Sequence, residues 1–349
     1  MGYRSHLILV AAILASFVVS LYSQYLNPYY LDVAINVGVN VILAVSLNLI
    51  NGYTGQFSLG HAGFMSVGAY ASAAVTMFLG PRWLGERTAL LFFPALLVGG
   101  IVAALAGLAV GVPSLRLKGD YLAIVTLGFG EIIRVIFRNT DQTAQAIKRW
   151  TTEPGGWVGL KNWLKDTGWT KAILDDMEKL GGALGLQGIP AYANFFWTFG
   201  FAAVTIYVVT SLVNSTYGRS FIATHDDEVA ASAMGVNTTK FKIIAFVVGA
   251  FFAGIAGGLY GHFKQSIDPR GFDFIKSIEI VVIVILGGMG NNLGVILSAI
   301  LLTVLLEKLR DFGDYRMMLY SFLIIVIMLA RPQGLFAWPL GRKDAAPKP

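Results

Sequence analysis

The sequence predicts an all-α, polytopic helical membrane protein, and three observations carry that expectation. Of its 349 residues 56% are hydrophobic and only 13% charged, with a mean hydropathy of +0.66, whereas a soluble domain is roughly a quarter charged. Long apolar runs follow one another from Leu7 to Leu329. Hydrocarbon offers the backbone no hydrogen bonds, so runs of this kind read as helices. The 40 glycines cluster inside these runs, as at Gly60, Gly63 and Gly68 or Gly249, Gly254, Gly257 and Gly258. Small residues at such spacings let membrane helices approach closely.

Taken in order, the clear apolar runs are 7–22, 30–50, 57–79, 89–112, 120–137, 194–213, 243–262 and 317–330. The stretch 277–309 exceeds one crossing, for which about 20 residues suffice. Inside it Gly287-Gly288-Met289-Gly290-Asn291-Asn292 is a strong turn signal. Splitting there gives 277–289 and 293–309, and about ten transmembrane segments in all. An even count places both termini on one side. The run 7–22 has no small-residue cleavage site and reads as a retained first helix. Between the second and third runs, Asn51-Gly52-Tyr53-Thr54-Gly55-Gln56 mixes glycines with polar side chains. That pattern predicts a broken or re-entrant backbone, tolerated where it faces protein or water.

The organisation that follows is a set of N-terminal transmembrane helices over 1–138, a polar insert over 139–192, C-terminal transmembrane helices over 193–336 and a tail over 337–349. Within the insert, 161–180 reads as an amphipathic, solvent-facing helix between two Gly-Gly-x-x-Gly-Leu elements at 155–160 and 181–186. The net charge of +6 is spread along the loops and reads as a solvated membrane face rather than a nucleic-acid surface. Lys and Arg in the short loops are roughly balanced between the two sides, so charge alone does not set orientation.

Several chemistries are excluded. The chain has no cysteine, which removes disulfides, thiolate metal sites and cysteine nucleophiles. Its four histidines, 6, 61, 225 and 262, lack metal-ligand spacing, and no Ser-His-Asp or paired-carboxylate arrangement emerges. No G-x-x-x-x-G-K-[ST] phosphate loop is present, so no catalytic residue and no cofactor are expected in this chain.

Two sets of residues stand out. The first lies in the polar loop 214–242, where Arg219, Asp227, Glu228, Ala231 and Gly235 mark a short element. Asp226, Asp227 and Glu228 suit the positive end of a helix dipole, with Thr224 and Asp227 as a capping box. Ala230, Ala231 and Ala233 then offer a small-residue surface that another protein can approach, and Gly235 stops the helix. The second set is intramembrane. Glu131 with Arg134 and Lys276 with Glu279 read as i,i+3 or neighbouring ion pairs, and Arg134 and Arg138 can snorkel. His61 suits either a helix-to-helix hydrogen bond or a pathway.

Four blocks carry a resemblance: 46–64 (Ser46-Leu47-Asn48 through Gly60-His61-Ala62-Gly63-Phe64), 115–128 (Leu115-Arg116-Leu117-Lys118-Gly119-Asp120 onward), 286–290, and Arg331-Pro332-Gln333-Gly334-Leu335. With the Glu228-x-Ala-Ala-x-x-x-Gly235 loop they run through nearly the whole chain, which resembles the branched-chain amino acid ABC transporter permeases, of the LivM type. The resemblance implies a subunit of a bacterial importer in the cytoplasmic (inner) membrane. Its implied partners are a second homologous permease subunit, two cytosolic ATPase subunits that bind the ATP, and an extracytoplasmic solute-binding protein. The loop would be the coupling helix seated in an ATPase groove, which makes it and the tail cytosolic and the insert extracytoplasmic. Asn48, Asn51, Gln56, Ser58 and His61 are then expected to line the pathway, since neutral polar groups suit transient contact with a zwitterion. Relatives are similar to permeases for urea and amides. The insert departs from the family's loop, where Gly181 to Pro190 fits the expected glycine-rich element leading into Gly-Ile-Pro. From another class, an ion-coupled secondary transporter would use Asp120, Glu131 and His61 as coupling sites, but leaves the acidic loop without a role. An open channel would need a charged ring or filter motif.

Overall fold

The computed structural model describes residues 3–22, 25, 27–80, 88–114, 120–152, 182, 184–331 and 334–336. The architecture is all-α, as expected. The helices are α1 (Tyr3–Leu21), α2 (Pro28–Asn48), α3 (His61–Ala74), α4 (Phe92–Ser114), α5 (Asp120–Arg138) and α6 (Thr140–Thr152), then α7 (Phe195–Val213), α8 (Thr216–Asp226), α9 (Glu228–Ala233), α10 (Thr238–Lys264), α11 (Phe274–Gly287), α12 (Asn292–Lys308) and α13 (Arg316–Ala330). Each of the ten apolar runs holds a helix. Six are long and apolar enough to cross a membrane: Pro28–Tyr53, His61–Leu79, Ala89–Pro113, Phe195–Val213, Thr238–Lys264 and Asn292–Gly313. Leu9–Leu21 and Arg316–Ala330 are apolar but shorter.

Side chains just ahead of the helices explain where several of them start. Asn27, Asn194, Asn237, Asp273 and Asn291 each accept a backbone N–H of the first turn that follows. Such a cap satisfies donors that the helix itself leaves free.

Helices α2 and α10 form the centre. In the most apolar window of α2, 83% of residues are buried, against 28% for α7 and for α12, which lie at the periphery. The glycine clusters explain the contact of α10 with α3. A Cβ on Gly68 would collide with the Gly254 backbone, and one on Gly257 with the Met65 carbonyl. This is close helix packing of the kind small residues permit.

Contacts sort the helix ends into two groups. At one end lie Thr76 of the π-helical extension of α3, Phe92 of α4 and His262 of α10. The His262 Nε2 is 2.9 Å from Thr76 Oγ1, and its ring meets Phe92 edge-on at 5.0 Å. Phe17 of α1 meets Phe196 of α7 there, at 5.6 Å. The insert returns at the same end: β1 (Leu186–Gln187) pairs antiparallel with β2 (Ser266–Ile267), just beyond α10. The opposite end gathers the α2–α3 connection, the loop 214–237, the α11–α12 turn and residues 334–336. Thus α1 begins, and the described chain finishes, at that second end.

The structure alters two expectations and does not reach a third. The third apolar run begins as a helix only at His61, because 55–60 is non-helical. The insert opens with α6, separated from α5 by Asn139 alone. The helix expected over 161–180 lies outside the described residues.

Candidate functional site

The α2–α3 break is built from competing hydrogen bonds. After Asn48 the helix widens into a π-turn, Leu49–Tyr53, and the backbone then runs irregularly to Gly60. The Asn51 Oδ1 accepts the Ser58 N–H at 3.2 Å, and its Nδ2 approaches the Ser58 carbonyl at 3.5 Å. Thr54 Oγ1 donates to the Ile50 carbonyl at 2.7 Å, and the Gln56 N–H donates to that same oxygen at 3.1 Å. From α5, Thr126 Oγ1 accepts the Leu59 N–H at 3.0 Å. Side chains thereby replace the helical ladder where it stops, as a backbone inside a membrane protein requires. Non-helical segments of this kind recur where transporters handle their cargo.

The break is tied to the rest of the second end. The Asn48 Oδ1 accepts the Gly290 N–H at 2.9 Å, and its Nδ2 donates to Asn292 Oδ1 at 2.9 Å. Asn292 Nδ2 in turn donates to Thr210 Oγ1 of α7 at 3.2 Å. The closing motif docks on this same turn: the Leu335 N–H donates to the Leu286 carbonyl at 2.7 Å, and Asn291 Nδ2 to the Phe336 carbonyl at 3.1 Å. His61 Nε2 lies 2.9 Å from Ser46 Oγ. That hydroxyl already donates to the Leu43 carbonyl at 3.0 Å, so it accepts from Nε2–H. His61 of α3 is thereby bonded to Ser46 of α2. Asn48, Asn51, Gln56, Ser58 and His61 are all buried. Asn48, Asn51, Gln56 and His61 tie the break to its neighbours through the bonds above, while Gln56 Oε1, Ser58 Oγ and His61 Nδ1 are buried with no hydrogen-bond partner.

The loop has two helices where one was expected. Helix α8 is capped by Ser215 and contains Arg219, exposed on its surface. Helix α9 is capped by Asp227 alone, whose Oδ1 accepts from Val229 N at 2.8 Å and Ala230 N at 3.0 Å. The expected capping box is corrected, because Thr224 sits inside α8 and donates to the Ser220 carbonyl at 2.7 Å. Gly235 ends α9 with φ +85, a left-handed conformation that glycine adopts without strain. Glu228 faces back toward the protein: its Oε1 is 2.7 Å from Lys242 Nζ and accepts from Thr238 Oγ1 at 3.4 Å. Ala231 is buried, so the small-residue surface expected to point outward at that position points inward. Val229 and Met234, 69% and 84% exposed, form the outward face with Ala230, Ser232 and Ala233.

Loop and break touch directly. A Cβ built on Gly55 would lie 2.8 Å from His225 Cδ2, and Gln56 Nε2 donates to the Lys242 carbonyl at 3.3 Å. Nothing in the sequence pairs Gly55 with His225, because the separation along the chain is long and neither belongs to a shared pattern. The Asn48–Asn292 bond was equally hidden, though both asparagines sit in recognisable blocks.

Other features carry less chemistry. A cleft of about 630 Å³ between α1, α4, α7 and α10 is lined by apolar side chains such as Phe93, Trp197, Phe201 and Phe251. It offers nothing to a charged head group. Among the described residues no group of three potential ligands could hold a metal ion.

This all-α bundle holds six helices long and apolar enough to cross a membrane, and the match to known families makes it a transporter permease. Residues 29–330 match the family described as branched-chain amino acid transport system / permease component, and the chain belongs to it. It is 34% identical over 310 residues to the high-affinity branched-chain amino acid transport system permease protein LivM of Escherichia coli K12, covering 87% of this chain and 69% of that one. The probable LivM permease of Methanocaldococcus jannaschii is 25% identical over 339 residues, covering 85% and 90%. LivH of Salmonella typhimurium LT2, a second permease type, is 23% identical over 310 residues, covering 85% and 91%. No solved structure matches the chain.

Proposed function

We propose that this chain forms half of the translocation pathway of an ATP-driven importer of branched-chain amino acids in the bacterial cytoplasmic membrane. It crosses the membrane ten times with both ends and the loop 214–242 in the cytosol, and with 139–192 outside. A LivH-like permease completes the pathway, two cytosolic ATPases bind ATP, and a solute-binding protein delivers the amino acid. Loop helix α9 is the element that seats on an ATPase.

The observation that supports this reading best is the contact of the loop with the break, through His225 on Gly55 and Gln56 on the Lys242 carbonyl. A push on α9 is thereby delivered to the one place where the α2–α3 pair is not a continuous helix. An ion-coupled carrier has no use for that linkage. The test is uptake of labelled leucine by cells carrying the complete transporter, with valine, urea and short amides as competitors. Uptake that persists when a protonophore collapses the proton gradient, stops on ATP depletion and yields to valine but not urea is the expected result. Uptake abolished by the protonophore with ATP intact overturns the proposal, and competition by urea reassigns the cargo.

A further inference from the structure

Two ion pairs on neighbouring helices are only partly buried. On α11, Lys276 Nζ is 3.1 Å from Glu279 Oε2, and the two side chains are 23% and 22% exposed. The same ammonium donates to Asn40 Oδ1 at 3.3 Å, and Asn40 Nδ2 donates to Thr303 Oγ1 of α12 at 2.9 Å. Asn40 sits near the middle of the apolar run Pro28–Tyr53, so the cluster is about mid-depth rather than at a membrane surface. On α13 the Tyr320 hydroxyl is buried without a hydrogen-bond partner. Helix α5 packs against the turn 269–272 that leads into α11. It carries the second pair, Arg134 Nη2 to Glu131 Oε2 at 2.7 Å, 28% and 32% exposed, past the middle of its length.

Partly exposed charges at this depth cannot face hydrocarbon, because charged side chains in a membrane turn toward protein or a water-filled cavity. The contrast is α4, whose outward residues Ile101, Val102, Leu105, Leu108 and Val112 are uniformly apolar. Two helices that meet through one turn thus each expose an ion pair, while α4 exposes none along these positions.

We infer that the face of α11 bearing Lys276 and Glu279 lines the water-filled passage, and that this pair binds the zwitterionic head of an α-amino acid. The Lys276 ammonium takes the carboxylate and the Glu279 carboxylate takes the ammonium, so one internal ion pair is exchanged for two with the cargo. Asn40 positions Lys276 from below, and Thr303 fixes the Asn40 carboxamide. The aliphatic side chain of the cargo is then left to the neighbouring apolar surface, where Ile275 and Ile278 are exposed. The inference rests on the reading that the cargo is an amino acid, and it adds where in the permease that cargo is held.

The natural absence of cysteine makes the test direct. Lys276→Cys, Ile278→Cys, Glu279→Cys and Leu105→Cys are each assembled into the complete transporter in membranes and exposed to a charged methanethiosulfonate reagent. Water access predicts labelling at 276 and 279 about tenfold or more faster than at 105, since the reagent needs a hydrated thiol. Leucine with binding protein and ATP should slow labelling of Ile278→Cys, which is exposed beside the pair and leaves both charges in place. Lys276→Gln should lower leucine uptake about tenfold, the loss of one charge-assisted hydrogen bond, with the permease at its normal level in the membrane. Labelling at 276 and 279 as slow as at 105, or labelling at 278 indifferent to leucine, overturns the inference, whatever becomes of the Lys276→Gln variant. Failure of the wild-type transporter to take up leucine overturns the amino acid importer reading instead, which the labelling rates alone do not touch.

Discussion

The carboxamide of Asn48 bonds in two directions, its oxygen taking the Gly290 N–H and its nitrogen reaching Asn292. Asn48 is fully buried, so neither half has water to fall back on when the other partner is lost. Replacing it with alanine leaves the Gly290 N–H and the Asn292 oxygen unpaired, at about 1–3 kcal/mol for a buried polar group. Asn48→Ala should therefore lower the thermal inactivation midpoint of the purified transporter, and Asn292→Ala should do the same. Because the two side chains are partners, the double variant should cost less than the sum, with a coupling of about 0.5–3 kcal/mol. Strict additivity would show that the bond does not contribute. Asn48 is recognisable in the sequence as a polar residue inside an apolar run, but its partners lie more than 200 residues away along the chain. Chemistry is legible one residue at a time, whereas the identity of a buried partner is a property of the packed bundle.

Helix boundaries and breaks were readable where backbone chemistry is local. The Gly287–Asn292 turn, the Asn51–Gln56 break and the Gly235 stop all declared themselves through glycine and asparagine. The face that a short helix turns outward was not readable, since α9 is too short for periodicity to decide. Ala231 is buried and Glu228 is held by Lys242, so α9 offers Val229 and Met234 to a partner. A charge at the centre of a packed interface costs affinity because it is desolvated without a counter-ion. Met234→Asp should accordingly reduce co-purification of the ATPase subunits, with the permease inserted at its normal level and leucine uptake falling with the lost ATPase. Ala231→Trp should act differently, by overpacking the loop against its own protein at about 1–3 kcal/mol, and so should lower the amount of folded permease. Wild-type recovery of ATPases with Met234→Asp would exclude the outward face of α9 as the contact.

At the scale of the whole molecule, each apolar run read from hydropathy holds a helix, and six of these helices are long and apolar enough to cross a membrane, because the bilayer imposes one repeated requirement, an apolar run long enough to satisfy its own backbone. Hydropathy gave no orientation, since the basic residues are balanced across the two sides. The fold sorts the ends of the helices into two groups. Contacts place the loop 214–237, the start of α1 and residues 334–336 at one end, and the β1–β2 pair with the returning insert at the other. One position from each end is then enough to fix orientation. Leu184 is 82% exposed beside β1, and Ser232 is exposed on α9 at the opposite end. If the loop seats on cytosolic ATPases, a membrane-impermeant maleimide added to intact cells should label Leu184→Cys and spare Ser232→Cys. Opening the membrane should expose Ser232→Cys in transporter stripped of its ATPases, and assembly with them should protect it again. Labelling of Ser232→Cys from outside intact cells would invert the orientation and remove the coupling role from the loop, because no ATPase could then reach it.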